Sequence, residues 1–148
     1  MAHKQTSEIL NRHVSNWNIM FVKLHNYHWN VKGHHFFTLH EKFEELYNES
    51  AEHIDELAER LLALKGRPAA TMKQYLEIAT IEEADGEKTS DEMVHALIDD
   101  FTTISDELKR DIETLEDDAD DEATADMLIA IRQSVEKHRW MLRAFVGE

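Results

Sequence analysis

Apolar residues recur along four long segments of the chain at alternating steps of three and four residues. The four series run from Leu10 to Val31, from Leu39 to Leu64, from Val94 to Leu115 and from Leu128 to Phe145. This spacing places the apolar residues on one face of a helix and is typical of helices packed in a bundle. The first series includes His28, and the second includes Ser50 and Ile54. The pattern therefore predicts four long helices.

Helix ends are marked by capping and breaking residues. Thr38 is followed three residues later by Glu41, and Thr89 is followed in the same way by Glu92. Such a pair can form a capping box, in which the two side chains satisfy free backbone N–H groups at the start of a helix. The spacing predicts that the second helix begins near Thr38 and the third at Thr89. Gly33 is expected to end the first helix.

The connection between the second and third helices is long. Residues 67–88 hold a short helical candidate around Met72 to Ile78 and then an acidic stretch that contains glycine. A connection of this length can cross a bundle from end to end, as in ferritin-like topology. The sequence thus predicts an all-α, ferritin-like four-helix bundle with a long crossover carrying a short helix between helices 2 and 3. Residues 1–148 are expected to form it as a single domain.

The amino-acid composition limits the kinds of metal site and partner that this chain can have. The 148 residues include one Pro, four Gly and no Cys, so any transition metal must be held by His and carboxylates rather than by thiolates. Thirty-one Asp and Glu against 16 Lys and Arg give a formal net charge of −15, which repels phosphate backbones and attracts cations. No segment resembles a signal peptide or approaches the roughly 20 apolar residues of a membrane span. We expect a soluble, cytoplasmic protein whose partners are cations, with no membrane contact.

Two pairs of potential metal ligands lie on the second predicted helix. His40 and Glu44 are four residues apart, and so are Asp55 and Glu59, so each pair presents two ligands on one face in adjacent turns. The step from His40 to Asp55 spans roughly 22 Å along the axis, too far for one ion to touch both pairs. If the same helix of a second chain packed antiparallel across a two-fold axis, however, the His40 end of one would meet the Asp55 end of the other, and two identical sites would form.

The ligand types favour iron. Imidazole and carboxylate with open coordination positions suit iron and neighbouring divalent metals better than a closed zinc site. The alternative is that these are ordinary solvated residues of an acidic helix. His28 is a further candidate because a polar ring in an apolar series must find a partner; its alternative is a hydrogen-bonded core histidine, as assumed for His138. Four other histidines are interpreted as surface or loop residues: His25, His34, His35 and His53.

Two other acidic features bear on iron chemistry. The only Glu-x-x-His motif joins Glu92 to His95, whereas a di-iron site inside one bundle needs that motif on two helices, so such a site is disfavoured. The acidic run 116–122 is a solvated turn or, in a symmetric assembly, the lining of a pore that concentrates Fe²⁺. We favour Asp121 and Asp126 as pore residues because they flank the start of the last helix.

Residues 23–68, KLHNYHWNVKGHHFFTLHEKFEELYNESAEHIDELAERLLALKGRP, resemble the signature region of the Dps mini-ferritins. The resemblance rests on His followed by Trp and Asn, a second His twelve residues on, and Asp-x-x-x-Glu-Arg later on the same helix. The helix order extends it over nearly the whole chain. It implies a two-iron ferroxidase site made of His28, His40 and Glu44 from one subunit and Asp55 and Glu59 from its two-fold mate. Many family members have Asp where this chain has Glu44.

The resemblance also implies a function. Proteins of this family form dodecameric shells, oxidise Fe²⁺ preferentially with hydrogen peroxide rather than oxygen, and keep a ferric oxide core inside. Trp29, beside the site, is a candidate trap for a stray oxidising equivalent, and its alternative interpretation is a core residue. The family name refers to DNA binding, which in several members needs a basic terminal extension, but here Lys4 is the only strong base among the first ten residues. We therefore expect iron storage and detoxification in the bacterial cytoplasm, and we disfavour a DNA-coating nucleoid protein.

Overall fold

The computed structural model describes residues 4–148 and contains five helices. They are α1 (Lys4–Asn30), α2 (Phe36–Ala63), α3 (Met72–Ile78), α4 (Ser90–Asp117) and α5 (Glu122–Phe145). Residues 4–148 contain no strand, so the predicted all-α class is confirmed, with the short helix where the sequence placed it. The chain forms two compact units, one that ends at Ser90 and one that begins at Asp91. No helix of the described part is long and apolar enough to cross a membrane.

In the first unit, α1 and α2 pack against each other. The buried residues of α2 are Leu39, Phe43, Leu46, Ser50, His53, Leu57 and Leu61. His53 takes the place predicted for Ile54: His53 is 8% exposed, whereas Ile54 is only half-buried. The surface interpretation of His53 is therefore wrong. Its ring packs against Trp17 of α1, with 4.6 Å between ring centroids, and this contact outweighs the greater hydrophobicity of Ile54.

A five-residue turn, 31–35, joins α1 to α2. Gly33 has a φ of +104°, a left-handed conformation that a residue without Cβ adopts at little cost. The backbone N–H of Phe36 donates to the Gly33 carbonyl oxygen at 3.2 Å. α2 therefore begins at Phe36, with His35 at the N-cap position and no side-chain cap. The helix thus begins two residues before the predicted position near Thr38, and the predicted capping role of Thr38 is wrong, because the turn closes through backbone bonds and leaves Thr38 inside the first helical turn.

Two asparagines of α1 hold the connection that follows α2. The Oδ1 atom of Asn11 accepts from the backbone N–H of Ala69 at 2.8 Å. Asn16, which is fully buried, accepts from the backbone N–H groups of Thr80 and Ile81 at 2.8 and 3.2 Å and donates to the Thr80 hydroxyl at 2.9 Å. Backbone groups outside a helix need such partners. The two side chains therefore fix the path of the connection along α1.

Two charged side chains, Lys23 and Glu87, fix the last part of the connection. Lys23 of α1 donates from Nζ to the Glu82 carbonyl oxygen at 2.9 Å. Partial burial acts to raise the pKa of Glu87, but hydrogen bonds from backbone N–H groups, together with the nearby Tyr27 hydroxyl and Lys23 ammonium, lower that pKa below its ordinary value. A lowered carboxyl pKa stabilises the fold above the ordinary glutamate pKa, and that contribution is lost as the pH falls through the lowered value.

In the second unit, α4 and α5 each carry an apolar face. Phe101 and His138 lie on these faces, with ring centroids 6.4 Å apart, and His138 is 8% exposed, so its predicted core position is confirmed. The connection between the helices turns at Asp120, whose φ is +50°. Asp121 then caps α5: its carboxylate accepts from the Thr124 N–H at 3.1 Å and from the Thr124 hydroxyl at 2.6 Å.

Candidate metal centre

Two histidine rings lie face to face where α1 ends and α2 begins. The ring centroids of His28 and His40 are 3.7 Å apart, and the ring planes are 12° from parallel. Nδ1 of His28 lies 2.6 Å from the His40 carbonyl oxygen, and Nδ1 of His40 lies 2.7 Å from the His28 carbonyl oxygen. The short turn between the helices makes this reciprocal pair possible because it brings the two residues side by side.

The reciprocal bonds fix the tautomer of both rings in their neutral form. A carbonyl oxygen only accepts hydrogen bonds, so Nδ1 of each neutral ring carries the proton and Nε2 keeps its lone pair. Histidines that bind metals commonly donate their other ring N–H to a backbone carbonyl in this way. His28 is 6% exposed, which confirms its predicted buried position. Its two interpretations are compatible, because the bond that satisfies the buried ring uses Nδ1 and leaves Nε2 for a ligand.

Glu44 lies next to the ring pair. Its Oε1 atom is 3.8 Å from Nε2 of His28, and its side chain is 53% exposed. Two neighbouring ligand atoms bound to one ion at about 2.1 Å lie roughly 3.0–3.4 Å apart. A small rotation of the exposed carboxylate would therefore place Glu44 and His28 on the same ion. The residues present fit a metal ion held by imidazole and carboxylate.

Two further aromatic rings hold the pair in place, and the sequence reasoning missed both. Phe36 stacks on His40, with 4.8 Å between centroids and planes 21° apart. Tyr47 presents its ring at 87° to His28, with 5.3 Å between centroids. The signal for Phe36 was available, since it precedes His40 by four residues and therefore shares its helix face. Packing on more than one side restricts ring rotation in the pair.

Asp55 and Glu59 lie at the other end of α2 and are both exposed. Neither side chain forms a hydrogen bond or ion pair with any residue from 4 to 148. The helical rise puts Asp55 roughly 22 Å and Glu59 roughly 28 Å from His40 along the axis. Among the described residues there is no group of three or more His, Asp and Glu side chains that could hold a metal ion. A single chain thus places His28 beside both His40 and Glu44 without completing a set of three ligands, and it leaves Asp55 and Glu59 apart from them.

Trp29 is 69% exposed and is not a core residue. Its ring lies 5.2 Å from the ring of His25, which stacks on Tyr47 at 3.8 Å with planes 18° apart. His25 is half-buried, so its interpretation as a simple surface residue is incomplete. His34 and His35 are exposed, as expected. The three rings from Trp29 to Tyr47 form a continuous aromatic row beside the histidine pair.

The candidate pore residues differ in what they already do within the chain. Both oxygens of Asp121 are engaged in capping α5, whereas Asp126 is exposed and has no hydrogen bond or ion pair within residues 4–148. The Glu-x-x-His motif lies apart from the histidine pair in sequence, and Nε2 of His95 is 3.8 Å from Oε2 of Glu148. The Asp121–Thr124 cap and the His95–Glu148 contact both lie within the second unit.

Comparison with known proteins gives the class first. The family model for the ferritin-like domain matches residues 7–148. General stress protein 20U of Bacillus subtilis is 58% identical over 97% of this chain and 99% of its own length. DNA protection during starvation protein 2 of Bacillus anthracis is 54% identical over 99% of both chains. The structure of a Dps protein from Bacillus brevis has a TM-score of 0.95 at 52% identity and covers 99% of this chain and 100% of that one. The chain therefore belongs to the ferritin-like family and, within it, to the Dps proteins. The predicted ferritin-like fold class and the resemblance to Dps are confirmed.

Proposed function

We propose that this protein is a single-domain mini-ferritin of the bacterial cytoplasm that oxidises Fe²⁺ at sites shared between chains and stores the ferric product in a hollow dodecamer. The observation that carries the proposal is the reciprocal pair of His28 and His40, which keeps two Nε2 lone pairs available in a Dps chain. A solvated helix face gives no reason for backbone carbonyls to fix both tautomers, whereas a metal centre does.

The other half of the site would come from a second copy. Asp55 and Glu59 of α2 are exposed and form no hydrogen bond or ion pair within residues 4–148. Large apolar side chains of α1 and α2 are exposed as well, namely Val22 at 48%, Phe37 at 83% and Leu62 at 58%. Apolar surface of this kind marks a contact with a partner. Antiparallel pairing of α2 about a two-fold axis would cover it and place Asp55 and Glu59 of the partner subunit beside His40.

The assembled ligand set suits two Fe²⁺ ions as substrate. Two imidazoles and three carboxylates leave coordination positions open for an oxidant, and the carboxylate charge favours Fe³⁺ over Fe²⁺. Two Fe²⁺ give two electrons, and one hydrogen peroxide takes up both with two protons and leaves as two waters. Pairing the electrons in this way avoids the release of hydroxyl radical. Trp29, at one end of the aromatic row that reaches Tyr47, would donate an electron to an oxidant that escapes from the site. Oxygen is the alternative to hydrogen peroxide as oxidant.

Sharing between chains can be tested by complementation. One variant carries His40→Ala with Glu44→Gln, and the other carries Asp55→Asn with Glu59→Gln. Each variant alone should have lost its peroxide-driven iron oxidation. Co-refolded in equal amounts, the two should recover about a quarter of the parent rate, because half of the dimers are mixed and each mixed dimer has one complete site. The initial rate of Fe³⁺ formation, followed by absorbance, is the measurement.

The control removes charge without touching the site. Glu41→Gln with Glu113→Gln changes two exposed glutamates and should oxidise iron at the parent rate. Failure of the mixture to regain activity, with each variant folded and assembled, would show that the halves do not meet across an interface. Full activity in either variant alone would remove its residues from the site.

Storage needs a closed shell and a route for iron. We propose that the start of α5 lines the route, with Asp126 as the accessible carboxylate and Asp121 shared between capping and the pore. Fe²⁺ with graded peroxide should leave far more iron in solution than the interface sites hold, and this iron should co-elute with the protein from a size-exclusion column at the dodecamer volume. Precipitated iron and a protein that elutes as monomer or dimer would contradict storage.

The name of the Bacillus anthracis relative refers to DNA protection, which raises DNA coating as a second candidate. A formal net charge of −15 opposes contact with phosphates, since non-specific binding depends on Lys and Arg. We propose that any protection comes from removing iron and peroxide. A gel-shift assay at physiological salt should show no retardation without Mg²⁺; clear retardation there would establish the coating function instead.

A further inference from the structure

α2 carries a second histidine and glutamate pair, away from the histidine pair at its start. His53 is 8% exposed, and its Nε2 atom is buried with no hydrogen-bond partner among the described residues. The nearest anionic atom is Oε1 of Glu49, one helical turn earlier, at 3.5 Å. This is longer than an N–H···O hydrogen bond, which spans roughly 2.7–3.2 Å.

The separation fits two ligands of one ion. Bonds of about 2.0–2.2 Å that meet at roughly 90–110° place a ring nitrogen and a carboxylate oxygen about 3.0–3.5 Å apart. Without a cation, a buried Nε2 beside a carboxylate is either a donor without a proper acceptor or a lone pair facing negative charge. Both arrangements cost free energy, and a cation between the two atoms removes that cost.

The pair faces an open acidic groove. The groove has a volume of about 390 Å³ and is lined by Glu45, Asn48, Glu49, Glu52, His53 and Glu56. Its carboxylates attract cations and can complete a coordination shell together with water. Asp55 follows His53 by two residues and so lies about 200° further round the helix. His53 is therefore on a different face of α2 from Asp55, although the groove extends round the helix to Glu52, one turn before Asp55.

We propose that His53 and Glu49 bind one divalent transition-metal ion per chain, of the class of Co²⁺ and Zn²⁺, at a site separate from the His28 and His40 pair. Imidazole with carboxylate selects such ions over Mg²⁺ and Ca²⁺, which take oxygen ligands. Glutamate and histidine four residues apart on one helix face reach the same ion from adjacent turns.

Trp17 provides a local reporter. It is 3% exposed, and its ring lies 4.6 Å from that of His53, whereas the other two tryptophans, Trp29 and Trp140, are 69% and 65% exposed. The assembled protein with Trp29→Phe and Trp140→Phe keeps Trp17 alone; adding Asp55→Asn and Glu59→Gln weakens the proposed ferroxidase site. Co²⁺ should quench the Trp17 emission and saturate at one ion per chain. Zn²⁺, a d¹⁰ ion, should displace Co²⁺ and restore the emission, and Mg²⁺ should not.

Ligand variants in the same background decide the assignment. Glu49→Gln should weaken Co²⁺ quenching by about tenfold or more, and His53→Gln should do the same, whereas Glu41→Gln, outside the groove, should leave it unchanged. His53→Gln also disturbs packing on Trp17, so Glu49→Gln is the deciding variant, with circular dichroism to check its fold. Absence of quenching, or quenching that is equal in Glu49→Gln and the parent, would overturn the proposal. Neither result depends on iron oxidation.

Discussion

The candidate metal ligands at the two ends of α2 are in opposite states. At the start, His40 is stacked on His28 and bonded to a backbone carbonyl. Toward the other end, Asp55 and Glu59 are exposed and touch no polar partner within residues 4–148. An imidazole binds through one nitrogen in one direction, so its tautomer and ring plane must be set beforehand, whereas a carboxylate offers several equivalent lone pairs. In the proposed shared site, the chain thus organises the ligands that need orientation and leaves the others to be supplied by the partner.

The strongest test of this contrast removes the exposed end. Asp55→Asn with Glu59→Gln should lower peroxide-driven iron oxidation by about a hundredfold or more, since ligands are lost. The free energy of unfolding should change by no more than about 0.5 kcal/mol, because both side chains are exposed. Initial rates and urea unfolding measure the two effects. Oxidation at the parent rate would refute the assignment of these carboxylates.

The organised end should respond differently. His28→Ala should lower the free energy of unfolding by about 2–3 kcal/mol, because it opens a cavity in place of a buried ring and removes the hydrogen bond that this residue's ring makes. The matched control is His34→Ala, at an exposed position, where we expect a change within about 0.5 kcal/mol. Equal stability of the two variants in urea unfolding would mean that the ring pair is not a structural element.

Ring packing can be separated from ligand identity at Phe36. Phe36→Leu removes the flat surface against His40 and keeps apolar volume, so it should lower Zn²⁺ affinity by about tenfold, the lower end of the range found when residues behind a ligand are changed. Phe36→Tyr keeps the ring and should bind Zn²⁺ as the parent does. Titration calorimetry compares the three proteins, and parent affinity in the leucine variant would show that the stack does not orient the ring.

The smallest effect is expected at Glu44. Glu44→Asp retains the charge but shortens the side chain by one methylene, and the carboxylate is exposed enough to readjust its distance from His28. We expect an iron oxidation rate within about threefold of the parent, with a larger loss for Glu44→Gln because its amide oxygen is a weaker ligand for a divalent ion. Similar rates for both variants would mean that the charge of Glu44 is not used.

Much of the fold was predictable because helix periodicity is a strong local signal. The helix order, the short helix from Met72 to Ile78 and the burial of His28 are all confirmed. The start of α2 was not, because two rules competed: the capping box at Thr38 is a side-chain signal, whereas the chain closes the turn through Gly33 and backbone bonds. Single-sequence patterns do not rank such alternatives.

The residues of the candidate site could be proposed from the sequence, but the hydrogen bonds that orient their side chains could not. Spacing alone identified the two ligand pairs of α2, yet the reciprocal bonds of His28 and His40 join two helices, and no pattern along one helix reveals them. His53 was missed because Ile54 is more apolar and the packing ring, Trp17, is remote in sequence. The capping role of Asp121 had a readable signal, since Asp followed three residues later by Thr is typical of a helix start.

The five-residue turn between α1 and α2 sets a limit on how the protein can vary. One inserted or deleted residue would disturb the turn that closes through Gly33 and Phe36, and the turn is what brings His28 and His40 side by side. Residues 83–86 follow the backbone groups that Asn16 and Lys23 hold at residues 80–82. Their length does not affect how the two rings meet. Length changes among related chains that keep the metal centre should therefore be absent from 31–35 and concentrated in the acidic stretch before α4.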